Sequence, residues 1–201
     1  LNRPNKKVVR NILIVTLGVL GLLGLISGIL LWLVTSPVST GDWNVYPITA
    51  SGSEADGLDA KITALRSDVA NASSGDALVL EINESEATSR LDRYLHQRNV
   101  SVMACSPQVY FGNGTVLVLA KVHFGVYMGS AMQIAVKAKD GKPDFTVTRL
   151  DLGMLTIPKT LVNNIMTAVE HEVGGRWDEL SVTVQQVVVK DGLLTVTIVK
   201  K

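Results

Sequence analysis

The sequence predicts an α+β fold: an N-terminal transmembrane helix, then one extracytoplasmic domain whose curved antiparallel sheet packs on two or three helices. Three observations lead there. Ile12 to Val34 carry no charged residue. Several later stretches space their apolar residues at helical intervals. Most of the chain after Val100 instead alternates with a period of two between glycine-bearing turns, the pattern of half-buried strands.

Residues 1–11 form a basic leader with Arg3, Lys6, Lys7 and Arg10 and no acidic residue. Residues 12–34 would make a helix of about 35 Å, enough to cross a hydrocarbon core of ~30 Å. The first charge after it is Asp42. This asymmetry predicts a single-pass protein of the plasma membrane, with a cytoplasmic N-terminus and the C-terminal domain extracytoplasmic. Trp32, Trp43 and Tyr46 fit an interfacial aromatic belt at the far end. The apolar run exceeds that of a cleaved signal peptide, and Val34-Thr35-Ser36-Pro37 lacks the small-residue cleavage pattern. Gly18, Gly21, Gly24 and Gly28 fall on one side of this helix. Such a stripe lets a second helix approach closely, so partner membrane subunits are expected there.

Residues 35–57 read as a juxtamembrane segment and linker, polar and glycine-bearing from Thr49 to Gly57. The domain proper spans 58–201. Leu58, Ile62, Leu65 and Val69 make one apolar stripe of a first helix. Ala77 to Ile82 form a short strand. Asn83 and Glu86 then stand as a capping box ahead of a second helix, whose Ala87, Leu91, Tyr94 and Leu95 share a face. Hairpin turns are expected at Gly112-Asn113-Gly114, Asp140-Gly141 and Asp191-Gly192. Between the first two turns run the alternating strands around Val116–Phe124 and Met132–Ala138. The apolar phase slips near Arg149, where a bulge or a sharp bend is expected, and shifts again at Gln185-Gln186. Pro158 opens a third helix with Val162, Ile165, Met166, Val169 and Val173 as its stripe, ended by Gly174-Gly175.

Composition excludes more than it assigns. There are 19 basic and 18 acidic residues. With four of the basic ones in the leader, the domain is mildly acidic, a poor match to nucleic acid. The lone Cys105 precludes an internal disulfide and is expected as a buried, inert thiol. His171-Glu172 begins like a zinc-protease helix, but position 175 is glycine rather than histidine. No nucleophile elbow, phosphate loop or paired thiol is present, so neither a catalytic residue, a metal nor a cofactor is expected. Glu84 and Glu86 are accounted for by the helix dipole. The Asn-x-Ser/Thr sites at Asn71, Asn83, Asn99 and Asn113 serve as helix ends, caps and turns.

The succession A-T-S-R-L-D-R-Y-L, V-T-R-L-D-L-G-M-L-T-I-P and V-V-V-K-D-G-L-L-T-V-T-I resembles a group of bacterial single-span membrane proteins. Their ectodomain is similar to the tubular lipid-binding, or bactericidal/permeability-increasing-like, domains. The resemblance covers roughly Ala77 to Lys200 and implies a curled sheet wrapping a long helix around an apolar groove. It nominates Met132, Ile134, Val136, Val162 and Ile165 for the groove wall, with lipid as partner. Two functions are thus expected. The first is a non-catalytic accessory subunit of a larger membrane complex. The alternative is a membrane-tethered lipid-binding module that holds or passes acyl chains.

Overall fold

The computed structural model describes residues 23–98, 104–123, 125–160, 162 and 181–201. The described part of helix α1 is residues 23–35; α2 is Gly52–Asn71 and α3 Glu84–Gln97. The strands are β1 (Ala77–Asn83), β2 (Ala104–Gly112), β3 (Thr115–His123), β4 (Tyr127–Lys139), β5 (Lys142–Leu152), β6 (Leu155–Thr156), β7 (Val182–Lys190) and β8 (Leu193–Lys200).

The expected membrane anchor is not supported. Among the described residues no helix is long and apolar enough to cross a membrane. The end of α1 is tied to the domain. Met154 N donates to Leu33 O at 2.9 Å. Thr35 Oγ1 and Ser36 Oγ close the last turn on Leu31 O (2.8 Å) and Trp32 O (2.7 Å). Gly153 makes this docking possible: at φ +57, a Cβ there would lie 2.4 Å from Leu33 O. The single-pass topology and plasma-membrane location are therefore set aside. Residues 12–22 of the expected span, with Gly18 and Gly21, lie outside the described residues. Gly24 and Gly28 have open space around them.

Nor is there one curved sheet. Five strands form a meander in the order β2-β3-β4-β5-β6, and a separate three-stranded sheet has the order β1-β8-β7. All pairings are antiparallel. The hairpin turns hold Asn113, Asp140 and Asp191 at φ 53, 52 and 52, each followed by a glycine also at positive φ. Two consecutive left-handed residues give the turn whose twist suits a tight hairpin. The slip near Arg149 is a bulge, with Thr148 the extra residue of β5, and the phase shift in β7 is a second one, at Gln185. The turns also stitch the sheets together, through Gly114 N to Val189 O (3.0 Å), Gly192 N to Phe111 O (3.0 Å) and Val184 N to Gly141 O (2.7 Å).

The five-stranded sheet is covered on both faces. One face presents Val109, Phe111, Val116 and Val136 to the main core, against Ala87 and Leu91 of α3. The other presents Tyr110, Leu117 and Ala131 to a strap, residues 36–50, through Val38, Trp43 and Ile48. Trp43 and Tyr46 thus serve the domain: Trp43 packs on Gly112, and Tyr110 Oη donates to Tyr46 O at 2.5 Å.

Gly52 to Gly57, expected as linker, are the first turns of α2. Ser51 caps the helix by accepting from Glu54 N at 3.2 Å, and Ala55 and Leu58 are buried. Two glycines in a helix cost roughly 1 kcal/mol each relative to alanine. Here tertiary contacts offset that, for Arg93 of α3 reaches Asp56 (2.7 Å), Asp59 (3.2 Å) and Gly52 O (2.9 Å). Pro158 does precede helical residues at 159, 160 and 162, while the remainder of the expected third helix lies outside the described residues.

Candidate functional site

An apolar cleft of about 460 Å³ lies where α2 and α3 face the two sheets. Each wall follows from local pattern. In α3, Ala87, Leu91 and Tyr94 recur at helical spacing and turn inward, as the sequence indicated. Strands β2, β3 and β4 contribute Val109 and Phe111, Val116, and Ile134 and Val136, alternate residues of the core face. Phe145, Ile82, Leu194 and Leu58 close the cleft from β5, β1, β8 and α2. Its size falls in the range of small-molecule sites, roughly 300–1,000 Å³.

Of the groove residues named from sequence, Ile134 and Val136 line this cleft. Met132 is half-buried in register with Val118 and Leu150 and is not among the lining residues. Val162 is buried but likewise not among them. Ile165 lies outside the described residues. Sequence reasoning left unassigned the contributions of β2, β5 and β8, and also Arg90, the one charged residue among the thirteen that line the cleft. The helical period of α3 was a usable signal for Arg90, since it falls three residues after Ala87.

Acid–base contacts join α2 and α3, Arg90 among them. Asp59 is ion-paired with Arg90, Nε lying 2.8 Å away, and accepts from Arg93 Nη1 at 3.2 Å. Lys61 Nζ lies 2.7 Å from Glu86, a buried carboxylate that also accepts from Asn83 N at 3.0 Å. This completes the predicted capping box and adds a lysine to it.

Behind the cleft, α3 closes the free edge of β2. Thr88 Oγ1 accepts from Val109 N at 2.9 Å, and Glu84 Oε1 accepts from Phe111 N at 2.8 Å. These alternate amides point away from β3, so without α3 they would face an unpaired edge. Glu84 Oε2 also accepts from Tyr46 Oη. That bond, then burial, then the carboxylate's charge push the Tyr46 phenol up to about 12. Burial, followed by Glu84, raises Tyr110 as well. Tyr46 and Tyr110 meet edge to face, with ring centroids 5.7 Å apart. Glu84 therefore does more than answer the helix dipole.

A second hollow, about 240 Å³ and polar, is lined by Ser51, Ser89, Asp92, Arg93 and His96. Its groups largely satisfy one another, as in Ser51 N to Ser89 Oγ at 3.0 Å. His171 and Glu172 lie outside the described residues. Cys105 is half-buried in β2 rather than fully enclosed. No protein-family model, curated protein or solved structure matches the chain.

Proposed function

We propose that the domain holds or passes a single apolar chain, of acyl type, in the cleft between α3 and the sheets. One observation carries this: a cleft of about 460 Å³ in which every lining residue but Arg90 is hydrophobic or aromatic. Each methylene taken from water contributes about 0.8 kcal/mol, or roughly fourfold in affinity. A ligand is then selected chiefly by length. The other expectation, an accessory subunit of a membrane complex, rested on the spanning helix and its glycine stripe and is not taken up.

The test uses the full chain and N-phenyl-1-naphthylamine, a neutral fluorescent apolar probe, displaced by primary alcohols of increasing length. Affinity is expected to rise about fourfold per methylene and then level off once the cleft is filled. Val136→Trp and Ala87→Trp, which fill it from opposite walls, should abolish displaceable binding while leaving the far-ultraviolet circular dichroism unchanged. Binding that survives both substitutions in folded protein would place the ligand elsewhere and sink the proposal.

A further inference from the structure

Arg90 interrupts an otherwise apolar wall, and its one polar contact among the described residues is an ion pair. Asp59 holds Nε at 2.8 Å, which orients the guanidinium. The two terminal nitrogens have no partner among the described residues. Arg93 on the next turn is different, because its terminal nitrogens are taken by Asp56, Asp59 and Gly52 O. Tyr94, one turn beyond Arg90, is half exposed, and its hydroxyl has no partner among the described residues. Arg98 lies 5.6 Å from the Tyr94 ring centroid and makes no ion pair among the described residues.

An apolar cleft that ends in an oriented guanidinium with two free N–H edges is complementary to a chain that ends in an anion. Carboxylates and phosphates accept two parallel bonds from such a fork, and a hydroxyl or ester does not offer the same match. Resting on the cleft reading above, we infer that the ligand is an anionic amphiphile whose carboxylate or phosphate monoester is bound by the terminal nitrogens of Arg90, with the Tyr94 hydroxyl beside it. Asp59 is a positioning residue in this arrangement, since it fixes the fork without touching the ligand.

The experiment displaces N-phenyl-1-naphthylamine from the full chain with dodecanoate, dodecyl phosphate and 1-dodecanol at fixed salt. At least one anion should bind about tenfold or more tightly than the alcohol, a ratio typical of a charge-assisted bond. The tighter anion identifies the headgroup as carboxylate or phosphate. Arg90→Gln should weaken the tighter anion about tenfold more than it weakens dodecanol, erasing that advantage, and Arg90→Lys should recover part of it. Equal binding of all three ligands, or equal weakening of all three by Arg90→Gln, would overturn the headgroup assignment and leave the cleft reading intact. Failure of probe and alcohol alike to bind would remove the cleft reading and the headgroup with it.

Discussion

Replacing Glu84 with alanine removes one carboxylate that serves two partners at the edge of the five-stranded sheet. Phe111 N loses an acceptor at 2.8 Å on a residue only 5% exposed. A buried amide left unpaired costs about 1–3 kcal/mol. Tyr46 also loses its bond to Glu84, but the ring is half exposed and water replaces the carboxylate, at a cost of about 0.5–1 kcal/mol. Against these losses stands relief from desolvating a carboxylate that is 8% exposed. The net loss should be about 2–3 kcal/mol. Glu84→Gln keeps an oxygen for Phe111 N and should cost about 1 kcal/mol. Urea unfolding of the full chain, followed by circular dichroism, reads the change as a midpoint lowered by about 1–1.5 M for alanine, taking a slope near 2 kcal/mol/M. An alanine variant within about 0.5 kcal/mol of the parent at unchanged slope would show that water reaches the β2 edge, and the edge-capping argument would fail.

Two further outcomes are expected. The Tyr46 phenol is raised to about 12, chiefly by its hydrogen bond to Glu84. Its stabilisation is complete below the unfolded value near 10 and is lost as pH rises from there through the folded value; spectrophotometric titration at 295 nm should show Glu84→Gln moving this tyrosine downward, and no movement would refute the assignment. Gly153→Ala places a Cβ against Leu33 O at a position of φ +57, so the α1–β6 junction should open at a cost of about 2–4 kcal/mol, checked by thermal unfolding and by new protease cuts near Ser36. An unchanged cleavage pattern would mean the junction tolerates the methyl group.

What was legible beforehand is whatever is encoded within a few residues. Asp140-Gly141 and Asp191-Gly192 specify hairpins by the left-handed conformations those residues accept, with little outside help. The bulges at Thr148 and Gln185 show as slips of an alternating pattern, because burial punishes a phase error at once. The start of α2 was missed for the opposite reason. Glycines at 52 and 57 argue locally for a linker, and the deciding contacts come from Arg93 on another helix. The division into two sheets depends on β1 pairing with β8, Ala77 opposite Val199, a choice that alternation along either strand cannot express. The charge-free run at the N-terminus carried arguments from length, flanking charge and aromatics, all local, and the tie between Leu33 O and Met154 N has no local signature. In the cleft, Ile134 and Val136 followed from periodicity, whereas Phe111, Phe145 and Leu194 join them only through the packing of two sheets.

The strap over Tyr110, Leu117 and Ala131 also sets an order of events during synthesis. Residues 36–50 leave the ribosome before any strand of the sheet they cover, and Tyr46 waits for a partner 64 positions later. The surface they bind is complete only once β4 has emerged at Lys139. At about 5–20 residues per second the intervening chain takes roughly 4–18 s to appear. Through that interval Val38, Trp43 and Ile48 have no native surface, and the matching face of the nascent sheet stays uncovered. The strap is thus made before the face it covers and can dock only after it. A chaperone bound to it during translation would delay docking without touching the hairpins, which close on local turns.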